Sequence, residues 1–152
     1  LTKYTRPTSL AAPTDAKAAC LYPNGARAMQ EAHERGFDNA VILDPSGFIA
    51  EFASSNIFLV IDDQLLTPKA NGTFLAGITR KTVLNLCREL NFKVVEKEVT
   101  IDELMGASEV FSTGNYGKVM YLNRLNDRKL ERGYYYKKIK KAYLAYSYDF
   151  KI

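Results

Sequence analysis

What most constrains the fold of this chain is the alternation of two hydrophobic rhythms. Stretches with apolar residues at every third or fourth position are interleaved with stretches that read as strands. NAVILDPSGFIAEFA (39–53) reads as strand, turn, strand, with DPSG as the turn. SNIFLVIDDQLLTP (55–68) reads as a second hairpin, closed by Asp62 and Asp63. Before them, Tyr22, Ala26, Met29 and His33 recur at helical spacing, with Pro23 suited to the first turn and Gly36 as the stop. After them, Val83, Leu86, Cys87 and Leu90 predict a helix from Thr79 to about Leu90. FKVVEKEVT (92–100) alternates like a strand, IDELMGA (101–107) predicts a short helix, and SEVFSTGNYGKVMYLNRL (108–125) predicts strand, glycine-rich turn, strand. Tyr135, Ile139, Ala142, Tyr143 and Tyr146 mark a terminal amphipathic helix. Such interleaving places the chain in the α/β or α+β class with a mixed sheet, and no internal repeat is visible.

At 152 residues, 47% hydrophobic and 25% charged, the chain is long enough for one domain with a real core. No apolar run approaches the roughly 20 residues of a membrane span, so no membrane partner is expected. LTKYTRPTSLAAP (1–13) has no apolar segment of the signal-peptide kind; its prolines and small polar residues predict an extended linker. A chain opening on a linker leads us to expect a domain before it. Cys20 and Cys87 lie far apart and form no metal-like cluster. A reduced, cytoplasmic setting fits them, with a single disulfide left open. Net charge is +4, and four lysines fall between Lys137 and Lys141. With Tyr134 to Tyr136 they could be read as a nucleic-acid surface. On a helix, however, these lysines lie opposite Ile139, Ala142 and Tyr143, as a solvated face does, and no nucleic-acid partner is expected. His33 is the only histidine and reads as a packed or half-exposed core residue rather than a metal ligand.

Several short stretches carry the vocabulary of a site. TDAKAACLYPN (14–24) sets Lys17 among alanines and a cysteine, five residues before Tyr22. Lys17 is either a surface-turn lysine or an amine to be desolvated as a nucleophile. Glu51, on the apparently apolar strand of FIAEFASSNIF, needs a partner there: an arginine or a protonated ring nitrogen. In LAGITRKTVLNL, Gly77 leads through Ile78 and Thr79 into a helix, whose unpaired N–H groups and dipole favour an anion. An ordinary threonine N-cap is the alternative there. In STGNYGKV, Thr113, Gly114, Asn115 and Gly117 form a polar turn, either an anion cup or a plain hairpin turn.

A lysine, a strand carboxylate and two candidate anion cups are the parts of a pyridoxal phosphate (PLP) site. TDAKAACLYPN, AEFASSNIF, TPKANGTFLAGITR and EVFSTGNYGKV resemble, in order and wording, the signature blocks of the class IV (fold type IV) aminotransferases. The likeness is strongest to the branched-chain amino acid members and extends from about Pro7 to Phe150. D-amino acid aminotransferases and aminodeoxychorismate lyases share the fold and are the alternatives, as is a catalytically incompetent binding or dimerising domain.

The resemblance implies an α/β large domain, a mixed-sheet pseudo-barrel with flanking helices, over 14–152. It also implies transamination between a branched-chain amino acid and 2-oxoglutarate, a homodimer, and no metal. Lys17 would carry the cofactor and act as the general acid/base. Tyr22 would hydrogen-bond its phenolic oxygen, and Glu51 would face its ring nitrogen. Gly77, Ile78 and Thr79 would hold the phosphate, with Asn115 where many members have a phosphate-binding threonine. Tyr116 stands where many have a small residue near the substrate carboxylate. Family members carry an N-terminal domain before the linker; it closes one side of the pocket and brings an arginine to the phosphate.

Overall fold

The computed structural model describes residues 1–149; Phe150, where the resemblance ends, and the last two residues of the expected domain lie outside them. A five-stranded mixed sheet, in the order β5-β4-β3-β6-β7, is the centre of the molecule. Its strands are β3 (Asn56–Ile61), β4 (Gln64–Pro68), β5 (Val94–Lys97), β6 (Glu109–Gly114) and β7 (Lys118–Tyr121). β1 (Val41–Leu43) and β2 (Ile49–Phe52) form a separate antiparallel pair leading into β3, and β8 (Arg124–Leu125) pairs with β9 (Arg128–Lys129). The helices are α1 (Tyr22–Glu34), α2 (Ile78–Glu89), α3 (Ile101–Gly106) and α4 (Tyr134–Asp149). Both expected hairpins, the four helices and the mixed sheet are present. The two-residue strands β8 and β9 were not legible, because two residues show no periodicity.

Local chemistry accounts for the connections. Asp62 and Asp63 both take left-handed φ, 47° and 57°, so β3 and β4 are joined by the two-residue turn whose twist matches a hairpin. Asp44 Oδ1 accepts the N–H groups of Ser46 and Phe48, closing the turn after β1. β4 and β5 run parallel, with α2 as the crossover between them. α3 starts with a full capping box from Thr100 and Glu103.

Side-chain alternation gives the central sheet two dry faces. Ile57, Leu59, Leu66 and Val110 pack on one side with Val99 and Leu104. Phe58, Val60, Leu65 and Phe111 pack on the other with Val83 and Cys87 of α2 and Ile139 of α4. Phe58 and Phe111 are register partners in β3 and β6, and their rings stack at 5.2 Å. Asn56 and Thr113 are the next register partners in the same alternation, at the end of the face that carries α2.

Three expectations need correction. The stripe Tyr22, Ala26, Met29, His33 is not the buried face of α1; Gly25, Ala28 and Ala32 are, against Ala40 and Ile42. Small residues win that face because they let the helix backbone come close: a Cβ on Gly25 would already lie 3.4 Å from the Ala53 carbonyl oxygen. His33 is exposed. Within the expected linker, the N–H groups of Thr2 and Arg6 donate to the carbonyls of Val41 and Leu43, and Arg6 is buried. On α4, Lys137, Lys138 and Lys141 are exposed, but Lys140 is half-buried and donates to the Val119 carbonyl at 2.8 Å. Among the described residues no helix is long and apolar enough to cross a membrane.

Candidate functional site

A cleft of about 250 Å³ opens between α1, β2 and the turn before α1. Lys17, Tyr22 and Glu51 all line it, with Arg6, Ala26 and Met29. The apolar stripe of α1 is thus explained: Tyr22, Ala26 and Met29 face the cleft instead of the core. The turn carrying Lys17 is anchored by Thr14, fully buried, whose hydroxyl donates to the Gly72 carbonyl. A single 3-10 turn (Ala19–Leu21) then leads into α1, with Tyr22 at its first position.

Lys17 is exposed, so this chain does not by itself desolvate the amine. The small neighbours that raised the idea of burial explain the reverse. Ala16, Ala18, Gly25 and Ala53 line the cleft wall and are too short to cover a lysine; they leave space beside it. Tyr22 is also exposed.

Glu51 is the opposite case. It is 7% exposed, and both oxygens are held. Oε1 pairs with Arg6 Nη2 at 3.3 Å, and Oε2 accepts from Asn56 Nδ2 at 3.1 Å. Burial pushes its carboxyl up to about 7, and the Arg6 charge only partly offsets this. A carboxylate has about four acceptor positions, so two remain for a further donor. Of the two partners expected for Glu51, the chain supplies the arginine. Arg6 is fixed in turn by its Nε, which donates to the Thr73 carbonyl at 3.1 Å. Arg6 escaped the sequence reading because it sits in a stretch with linker composition, 45 positions from Glu51.

The start of α2 lies beside this group. Its N-cap is Gly77, not Thr79, and no side chain caps it. The Gly77 N–H donates to Asn56 Oδ1 at 3.2 Å. Ile78 is 86% exposed and Thr79 half-buried, at the first two positions of the helix. The N–H groups there have no partner within the helix, which makes the end suitable for an anion. Arg80, one residue on, is a structural group: it is buried, and its Nη2 donates to the Pro68 carbonyl at 2.8 Å and pairs with Glu96 at 2.7 Å, tying α2 to β4 and β5.

The β6–β7 turn follows β6, which packs against α2 and pairs Thr113 with Asn56. Asn115 is exposed, and its Oδ1 accepts from Lys118 Nζ at 3.1 Å. Tyr116 is fully exposed and lines an adjoining cleft of about 480 Å³ that shares Met29 and Ser54 with the first. Gly114 rests on the β2–β3 turn: a Cβ there would come within 3.1 Å of Ser55 Cβ. Thr113, one residue earlier, is buried with its hydroxyl unpartnered.

Comparison with known proteins places this geometry in context. Residues 1–124 match the family described as amino-transferase class IV. A branched-chain-amino-acid aminotransferase of Pseudomonas aeruginosa is 41% identical over 133 residues, 86% of this chain and 43% of that protein. A probable branched-chain-amino-acid aminotransferase of Aquifex aeolicus is 37% identical over 122 residues, 80% of this chain and 39% of that protein. Among solved structures, an aminotransferase from Brucella abortus bound to the co-factor PLP superposes with a TM-score of 0.94 at 43% identity, covering 97% of this chain and 52% of that one. A branched-chain amino acid aminotransferase from Escherichia coli superposes with a TM-score of 0.91 at 29% identity, covering 95% of this chain and 49% of that one. The chain spans about half the length of these relatives, or less.

Proposed function

This chain belongs to the class IV aminotransferase family, and we propose that it supplies the cofactor-binding half of a PLP-dependent branched-chain amino acid aminotransferase. The observation that carries the reading is the convergence of Lys17, Tyr22 and Glu51 on one cleft. The donor set fits the cofactor group by group: an amine for its aldehyde, a phenol for its ring oxygen, a buried carboxyl for its ring nitrogen, and an uncapped helix start for its phosphate. Gly77, Ile78 and Thr79 form that start, and Asn115 is assigned as a further phosphate donor through its free amide, with Tyr116 on the substrate side.

When bound, PLP supplies an electron-withdrawing ring that weakens the Cα–H bond of an attached amino acid. The residues of this chain do the rest. Glu51 in its ionised form holds a proton on the ring nitrogen, and Arg6 favours that form by its charge. Tyr22 donates its hydroxyl to the ring oxygen. The start of α2 would hold the phosphate through its unpaired N–H groups. Lys17 Nζ would be the general base that takes the proton from the substrate Cα and the general acid that gives it to the former aldehyde carbon of the cofactor. The amino donor is a branched-chain amino acid and the acceptor 2-oxoglutarate. The same reading carries a homodimeric, cytoplasmic enzyme of branched-chain amino acid biosynthesis. Its two cysteines are free, and exposed Tyr22 and Tyr116 line the two clefts, as surfaces meant to be covered do.

The test is borohydride reduction of the full protein that carries this chain, after PLP addition, followed by peptide mapping. A pyridoxyl label on Lys17, together with turnover of L-leucine, L-isoleucine or L-valine with 2-oxoglutarate, is the expected result. A label on another lysine at equal occupancy removes Lys17 from its role. Turnover of D-alanine in place of the L-amino acids transfers the reading to the D-specific members of the family.

A further inference from the structure

Asn56 sits at the first position of β3, 5% exposed, and every hydrogen of its side-chain amide is used. Nδ2 donates to Glu51 Oε2 at 3.1 Å and to the Leu75 carbonyl at 2.9 Å. Oδ1 accepts the Gly77 N–H at 3.2 Å. Only an amide offers two donors and an acceptor in one plane, and only this orientation of it satisfies all three neighbours. The fit is also tight: a Cβ on Gly77 would lie 2.7 Å from Asn56 Oδ1. Gly77 has φ −64° and ψ 150°, which any residue adopts. The glycine is therefore required by the space Asn56 occupies, and not by its backbone conformation.

Resting on the functional reading above, we propose that Asn56 is a positioning residue that ties the Glu51 carboxylate to the start of α2, making the acid end and the anion end of the cleft one mechanical unit. Arg6 balances the charge of Glu51 through Oε1, while Asn56 fixes the direction of the carboxyl plane through Oε2. The same amide sets where the N-cap of α2 lies. Asn56 is itself immobilised by β3, where it pairs with Thr113 of β6. A change at the carboxylate therefore reaches the helix start through one rigid side chain, and the spacing between the ring-nitrogen and phosphate positions is held constant.

The experiment uses the full protein that carries this chain, isotope-labelled at glycine, with inorganic phosphate as the probe of the helix start. Glu51→Gln is made with Asn56 intact and again with Asn56→Ala. With Asn56 intact, Glu51→Gln should move the Gly77 amide resonance and change phosphate affinity about threefold or more. With Asn56→Ala, Glu51→Gln should leave both unchanged. Asn56→Leu, close to asparagine in size, neither accepts from Gly77 nor bonds to a carboxylate or an amide at position 51; it should likewise break the transmission and serves if the alanine variant fails to fold. Equal responses with and without the Asn56 amide, or no response when it is intact, overturn the proposal. The Gly77 readout needs no PLP, so a protein that binds no PLP would refute the functional reading while leaving this test standing.

Discussion

Glu51 is the residue whose environment most departs from that of a free side chain. Its carboxyl, ordinarily half-titrated at 4.5, is pushed up to about 7, with desolvation the leading cause and Arg6 opposing it. A native value above the unfolded one means that the native state binds the extra proton. Stability from this group is complete below the unfolded value and is lost as pH rises towards 7. The difference corresponds to on the order of 3 kcal/mol. Between pH 4 and pH 8, the urea midpoint of Glu51→Gln should therefore fall less than that of the parent by about that amount of free energy. Equal pH dependence would show that the carboxyl is not desolvated. In the full protein, Glu51→Gln should retain PLP yet lose turnover by on the order of 100-fold, since one oriented electrostatic contact is removed. Unchanged turnover would leave Glu51 a purely structural acid.

At the scale of elements, the helices differ in how their starts are satisfied. α3 is capped from within by Thr100 and Glu103. α4 has no acid in its first turn and is capped from a distance: buried Glu109 of β6 accepts the N–H groups of Tyr135 at 3.0 Å and Tyr136 at 2.8 Å. A Cβ on Gly133 would lie 2.0 Å from Glu109 Cδ, so that glycine makes room for the carboxylate. α2 has no side-chain cap, as suits an end that receives a ligand. Glu109→Ala should cost roughly 1–3 kcal/mol, the range for stranding buried donors next to a lost charged acceptor. The loss should appear as faster amide exchange at Tyr135 and Tyr136, with α2 unaffected. Protection unchanged at both amides would mean that the cap is not needed.

Across the whole molecule, a sheet with two dry faces holds a site that remains open on one side. Lys17, Tyr22 and Ile78 are all exposed at it, and the solved relatives are about twice as long as this chain. The 152-residue chain alone should therefore bind PLP, more weakly than the full protein does. One missing charge-assisted contact to the phosphate, at roughly 1.5–3 kcal/mol, corresponds to about 10- to 150-fold in affinity. Absorbance titration of both forms at one pH checks this. Equal affinity would mean that the start of α2 and the cleft wall hold the cofactor without help.

The sequence by itself determined what depends on neighbours a few positions away. The turn at Asp62 and Asp63, the first turn of α1 with Pro23 and the stripe of α2 rest on local dihedral preference and on a period of 3.6 or 2, which a linear reading can see. The motif blocks likewise identified Lys17, Tyr22 and Glu51, because each lies inside a short distinctive stretch. Only the tertiary structure decided which face of α1 is buried, since Ala28 and Met29 are adjacent in sequence and either can head an apolar stripe. It also decided that Arg6 is a buried partner of Glu51, that Asn56 joins that acid to Gly77, and that Glu109 caps a helix 26 positions away. It also decided between the two settings open for Lys17, leaving the amine exposed. Pairings and exposure of this kind have no period and no local signature. They exist only once packing of the apolar faces has brought distant polar groups together and desolvation makes each buried one take a partner.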